Sequence, residues 1–368
     1  MQNEFIQMLA DHVEKGIIQQ VKDARYYAVI LDCTQDFSRV EQMSLVVRFV
    51  GSKGEAEEHF LDFMPVHETT GESLAGTLLQ KVEDLGLSLS NCRGQGYDNS
   101  SNIQGKNCGV QARLLQQNPR AFFVPCGCHS WNLVLGDAAA ASNKAVLFFG
   151  TLQRIYTLLS ASPRRWKLLT DAVGFVGLTV KALSETRWEC WIESVKAIRW
   201  QLPDIVDVLQ QVSTTPGDPM AQSDASSLCT FLQSFEFILS TVVWHDILFK
   251  VNIMSKTWQT HGIEMDVAVQ HIDGFLEWIQ DYREHGFAAA DTTAKEIATS
   301  MDVPCEYTPV KIRRKRRLFD YEGEDSATHT PRELFKTDYF LRVIDSISQS
   351  VKERFDLLKA FFRGFDSH

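Results

Sequence analysis

The chain has 368 residues, 44% of them hydrophobic and 23% charged, with a formal net charge of -10 at pH 7. This length and composition exclude a wholly disordered chain and leave room for two or three domains of about 100–200 residues each. The acidic balance excludes a generally basic, nucleic-acid-coating surface, so any DNA contact must come from a local patch.

The opening MQNEFIQMLADHVEKGIIQQVKDARYY spreads acids and bases through its length and has no continuous apolar stretch of the secretory kind. No later window is expected to reach the about 20 apolar residues of a membrane span, so an intracellular, soluble protein without membrane contact is expected. The 8 cysteines, Cys33, Cys92, Cys108, Cys126, Cys128, Cys190, Cys229 and Cys305, then read as reduced thiols rather than a disulfide framework.

In chain order, residues 4–22 place Phe5, Leu9, Val13, Ile17 and Val21 three to four apart, which predicts an amphipathic helix. The period then changes. YYAVILDCT (26–34), QMSLVVRFV (42–50) and EHFLDFMPV (58–66) are short β-rich runs separated by polar turns, which predicts an antiparallel meander. Residues 69–87 carry a cap residue, an early Glu and apolar Leu74, Leu78, Val82 and Leu85, as a helix does. A strand is expected over 91–97 and a helix over 100–117. Another strand follows at 121–126, then a buried helix over 129–141.

Beyond about residue 143 helical patterns take over. RWECWIESVKAIRWQL (187–202) sets Trp188, Trp191, Ile192, Val195 and Ile198 on one stripe, and long helices are expected over 231–259, 263–286 and 331–362. The polar stretch of about 290–330 reads as mobile and contains the basic run Lys311, Arg313, Arg314, Lys315, Arg316 and Arg317. The expected plan is a mixed α/β domain over residues 1–143 and an all-α domain over 144–368.

The order β-β-β-α-β-α-β-α is that of a ribonuclease H-like core, in which acids ending the first and fourth strands lie side by side. Here those acids are Asp32, in VILDCT, and Asp98, in GQGYDNS. Two such carboxylates suit Mg²⁺ or Mn²⁺, hard cations that sit about 3.5–4 Å apart in two-metal phosphoryl-transfer sites. The bland alternative is a pair of turn acids at strand ends. Cys126, Cys128 and His129 lack the second ligand pair of a structural zinc site, which favours a buried, hydrogen-bonded histidine. Trp188 and Trp191 read first as core residues, and Gly94 and Gly96 lack the Lys-Ser/Thr partner of a phosphate loop.

VILDCTQDFSRVEQMSLVVRFV, GQGYDNSSNIQGKNCGVQARL, CGCHSWNLVL and SETRWECW, in that order, resemble the core of a hAT-superfamily transposase. The nearest group is the transposon-derived proteins whose domain of unknown function also occurs in zinc-finger MYM-type protein 1. The resemblance implies a ribonuclease H-like core followed by a helical insertion, acting on transposon DNA ends by metal-dependent strand cleavage and transfer. It further implies Asp32 and Asp98 as the first two catalytic acids and as metal ligands. Cys126 and His129 match the C-x-x-H signature, and Arg187 and Trp188 match the pair that opens the insertion.

The family's third acid is a glutamate beyond the insertion, in a region that also supports dimerisation. It is expected to be missing here, with Glu353 the only late candidate. A zinc finger ahead of the core is expected to be absent, and Cys128 stands where the family often has a small residue. The expectation is a nuclear, DNA-binding transposase-derived protein, inactive as this chain. The alternatives are a domesticated DNA- or protein-binding scaffold and a working metal-dependent strand-transfer enzyme, with a homo-oligomer forming through the missing C-terminal region. The basic run reads either as a solvated segment or as an import signal and phosphate contact.

Overall fold

The computed structural model describes residues 2–97, 109–174, 177–184, 189–260, 265–309 and 329–365. Helix α1 (Gln2–Ala24) leads into strands β1 (Tyr27–Gln35), β2 (Glu41–Val50) and β3 (Ala56–Val66), then helix α2 (Gly71–Asp84) and strand β4 (Cys92–Tyr97). Helix α3 (Val110–Gln117), strand β5 (Phe122–Pro125) and helix α4 (Gly127–Ala140) complete the α/β part.

The five strands form one sheet in the order β3-β2-β1-β4-β5. β1 and β2 pair antiparallel, as do β2 and β3, whereas β4 runs parallel to β1 and β5 parallel to β4. This is the mixed sheet of a ribonuclease H-like domain. The expected meander and the expected change from hairpins to β-α-β crossovers are both present. Alternation along β1 buries Tyr27, Val29 and Leu31 against Ile18 and Val21 of α1, Leu74 and Leu78 of α2 and Leu114 of α3. Ala28, Ile30 and Asp32 therefore point to the opposite face.

The chain divides into two compact units, residues 1–130 with 357–368, and residues 131–356. The second unit is thus an insertion in the first. It contains most of α4 and helices α5 (Asn143–Ser160), α6 (Pro163–Val173), α7 (Glu189–Thr214), α8 (Pro219–Leu232), α9 (Phe235–Trp258), α10 (Met265–Asp281) and α11 (Phe287–Ser300). α12 (Pro331–Phe335) and most of α13 (Arg342–Phe365) follow. Single π-helical turns, Tyr282–Gly286 and Lys336–Leu341, precede α11 and α13. Its core is aromatic: Trp131, fully buried, packs on Phe275 at 4.8 Å and Phe355 at 5.0 Å between ring centroids. Ser350 and Arg354 of α13 both donate to the Asp137 carboxylate, at 2.6 and 2.8 Å.

Two expectations are corrected. The 290–330 stretch is not mobile at its start, because α11 continues to Ser300 with Ala290, Asp291, Ala294 and Ala298 buried. Its small residues form a close-packing stripe that a polarity count misses. The Asp291 carboxylate, its side chain only 6% exposed, accepts from Tyr307 at 2.5 Å, Lys295 at 2.9 Å and Arg332 at 3.3 Å. Residues 310–328, with the basic run, lie outside the described residues. Second, α9 is long and apolar enough by composition to cross a membrane, contrary to the expectation that no window would be. The apolar window is 72% buried inside the protein, as in a core helix.

Candidate active site

The sheet edge where β1, β4 and β5 end carries Asp32 and Cys126 among the described residues. Asp32 is exposed near the end of β1, on the face opposite the main core. Its carbonyl accepts from the Ser44 hydroxyl at 3.1 Å, across the antiparallel pair with β2. On the same face Ala28 pairs with Gly94 and Ile30 with Gly96. A Cβ added at Gly94 would stand 2.9 Å from the Ala28 Cβ. Glycine there lets β4 approach β1 closely at the point where the pairing register shifts between Tyr27 and Ala28.

β4 is held at both ends. At its start the buried Asn118 donates to the carbonyls of Leu89 and Cys92, each at 2.7 Å. Further along, Gln95 donates to Ala121 O at 2.7 Å and accepts from the Tyr97 hydroxyl, whose pKa burial raises far above its usual value. The Tyr97 ring packs on Phe123 at 5.0 Å. Sequence reasoning missed these positioning residues. The Asn118-Pro119 pair, which can only end a helix, is the signal that could have found the first.

Cys126 follows β5 and starts α4. Its N–H donates to Tyr97 O at 3.0 Å, and its carbonyl accepts from the Ser130 hydroxyl at 2.9 Å. The residue is exposed, yet its thiol pKa is raised, first by the surrounding protein and also by the charges of Cys128 and Asp32. The N–H groups of His129 and Cys128 act in the opposite direction by donating to the sulfur, so Cys126 caps the helix as a serine would. The Asp32 carboxylate therefore lies within electrostatic reach of the C-x-x-H box, bringing together two of the motifs read separately in the sequence. His129 is half-buried rather than buried, as is Cys128.

Asp98, Arg187, Trp188 and the basic residues Lys311 to Arg317 lie outside the described residues. Glu353, on the exposed side of α13, accepts from Gln349 at 2.5 Å. Trp191 is half-buried and donates to Ser184 O at 2.8 Å. Among the described residues no three His, Cys, Asp or Glu side chains are grouped as a metal site. The described candidate donors near the sheet edge are the Asp32 carboxylate, a hard oxygen ligand, and the side chains of the Cys126–Cys128–His129 box.

Two comparisons bear on this geometry. The human 52 kDa repressor of the inhibitor of the protein kinase is 24% identical over 374 residues, covering 96% of this chain and 47% of that protein. Its mouse counterpart is 24% identical over 378 residues, covering 96% and 48%. The chain therefore spans about half the length of the curated relatives it matches. Residues 1–109, from α1 to the threshold of α3, match the family model DUF4371, ZMYM1/FAM200, RNase-like domain, the group to which the sequence motifs pointed.

Proposed function

We propose that this chain is a hAT-transposase-derived nuclear protein whose ribonuclease H-like core retains a two-carboxylate vestige of the metal site, Asp32 with Asp98, and whose present role is regulation by DNA binding. The observation that carries the reading is the β3-β2-β1-β4-β5 order with Asp32 exposed at the end of β1. The register runs Ile30↔Gly96 two residues before each acid in sequence. The relatives are named as repressors, which supports a regulatory role over a catalytic one.

Mg²⁺ or Mn²⁺, where held, would supply charge stabilisation at phosphate oxygens. This chain's residues would contribute a carboxylate contact from Asp32 and the fixed edge of β4. Strand cleavage by a two-metal site takes further ligands, and among the described residues no three His, Cys, Asp or Glu side chains are grouped as a metal site. Each tenfold loss in rate corresponds to about 1.4 kcal/mol of barrier, so poor metal positioning removes turnover by orders of magnitude.

The test is cleavage of hairpin and nicked duplex DNA by the purified chain with Mg²⁺ or Mn²⁺, beside Asp98→Ala. No more than trace cutting is expected. Robust cutting abolished by the substitution would establish the enzyme reading instead, with Glu353 the next residue to change.

A further inference from the structure

The helical unit carries a surface that its own fold does not use. On α7, Lys196, Arg199 and Trp200 follow at helical spacing, and on α9 His245, Phe249, Lys250 and Ile253 do the same. The two rows meet. The Trp200 ring lies edge-on to His245 at 6.1 Å, and His245 stacks on Phe249 at 5.9 Å with an interplanar angle of 10°. Trp200 is 65% exposed, Phe249 45% and Ile253 49%. Large apolar side chains grouped in this way on a surface mark an interaction site, whereas scattered ones do not.

Cations are interleaved with these rings. Arg199 lies 5.3 Å from the Trp200 ring centre and Lys196 5.7 Å from that of Phe249. Lys250, beside Phe249 in sequence, reaches the Trp278 ring at 5.7 Å. Among the described residues none of these three cations is in an ion pair. Arg199 Nε and Nη1 and His245 Nδ1 are buried without a hydrogen-bond partner. The nearby carboxylate, Asp246, is engaged by the Tyr282 hydroxyl at 3.0 Å and lies 3.6 Å from His245.

The main chain is shaped around the same point. Directly after Trp200, Gln201 leaves helical geometry (φ -129°, ψ 24°) and Pro203 follows, so α7 kinks there. Gln201 Oε1 accepts from Leu178 N at 2.6 Å, which holds the kink.

We propose that this surface binds single-stranded DNA, with bases stacking on Trp200 and Phe249 and phosphates meeting Lys196 and Lys250. Exposed rings alternating with unpaired cations are complementary to a strand of alternating bases and phosphates. Duplex DNA hides its base faces and would leave the rings unused. The inference rests on the DNA-binding reading above and adds to it the strand type and the residues, none of which belongs to the Asp32 edge.

The experiment is fluorescence anisotropy of a labelled oligothymidylate of about 20 nucleotides with the full chain over a series of salt concentrations. Trp200→Ala is expected to weaken binding about tenfold, and Trp200→Phe to retain most of it. The joint Lys196→Ala and Lys250→Ala variant should flatten the log–log salt slope by about 0.7 per cation. Trp200 is exposed, so a thermal melt of Trp200→Ala should match the parent. Unchanged affinity in Trp200→Ala, with binding weakened by neutralising Arg313, Arg314 and Arg316, would overturn the surface and leave the DNA reading standing. No binding by the parent chain even at low salt would overturn both. Trp200-dependent binding of an oligoglutamate peptide in preference to the oligonucleotide would overturn the inference in favour of a protein partner.

Discussion

The main-chain N–H of Cys126 donates to the carbonyl of Tyr97 at 3.0 Å, tying the first residue after β5 to the end of β4. This bond fixes the start of α4 at the sheet edge that carries Asp32, and the Cys126 side chain then takes up the first free N–H groups of that helix. The C-x-x-H signature thus has a mechanical meaning here, as a cap on the helix that begins beside the candidate site.

From the cap, Cys126→Ala should lose about 1 kcal/mol in urea unfolding, while Cys126→Ser should lose much less because its hydroxyl accepts the same N–H groups. Equal losses would count against capping. The thiol pKa is raised from 9.0, so alkylation of Cys126, followed by peptide mass mapping, should accelerate only above about pH 9. A midpoint near pH 7 would contradict that environment.

The pairing of Gly94 with Ala28 makes a contrast between neighbours. Gly94→Ala places a Cβ 2.9 Å from the Ala28 Cβ, whereas at Gly96 the nearest atom, on Ile30, is 3.7 Å away. Gly94→Ala should destabilise by about 1–3 kcal/mol and Gly96→Ala by under about 1 kcal/mol. Equal effects in thermal or urea unfolding would show that β4 can move away from β1.

Asp291 holds Tyr307 and Arg332 on one carboxylate, so it closes the base of the segment that contains the basic run. Asp291→Ala should cost about 2–3 kcal/mol, since it leaves a tyrosine hydroxyl and two cations without their acceptor. Its pKa is lowered from 3.8: burial raises it, and the Tyr307 hydrogen bond with the Lys295 and Arg332 charges more than offsets that. A carboxyl depressed on folding stabilises fully above its unfolded pKa, and that stability is lost as pH falls through the lower folded value. Acid unfolding of the parent chain should therefore steepen below about pH 4, and Asp291→Asn should remove that component. Identical pH profiles would contradict it.

The strands and their succession along the chain were legible because most of them alternate or end on a polar turn. β1 shows this best, with Tyr27, Val29 and Leu31 inward and Asp32 outward. The helical unit was less so. α11 uses Ala290, Ala294 and Ala298 as its packing face, and alanine carries little hydrophobic contrast, so the stretch read as polar. Asp291 also counted as charge, although it is a buried acceptor with its own donors. Of the candidate site, Asp32 and Cys126 were legible as motifs, but their electrostatic proximity depends on strand order, which only the parallel β1–β4 and β4–β5 pairings settle. Trp200 falls on the face of α7 away from Trp191 and Val195, so helical spacing alone sets it outside the packing stripe, and what was not legible is the row of α9 side chains that it meets there.

The basic run is proposed to supply a separate, sequence-independent term. Neutralising Arg313, Arg314, Lys315, Arg316 and Arg317 should flatten the salt dependence of duplex DNA binding by about 0.9 per lost phosphate contact. An unchanged slope would reassign the run to import or to a solvated linker.

The central claim, that Asp32 and Asp98 form a shared hard-cation site, is tested most directly by Mn²⁺ titration of the purified chain, following the paramagnetic resonance of free Mn²⁺. The parent chain should bind Mn²⁺, and Asp32→Asn and Asp98→Asn should each weaken it at least about tenfold, with the double variant little worse than either. Mn²⁺ affinity equal in the parent, Asp32→Asn and Asp98→Asn chains would contradict the shared site.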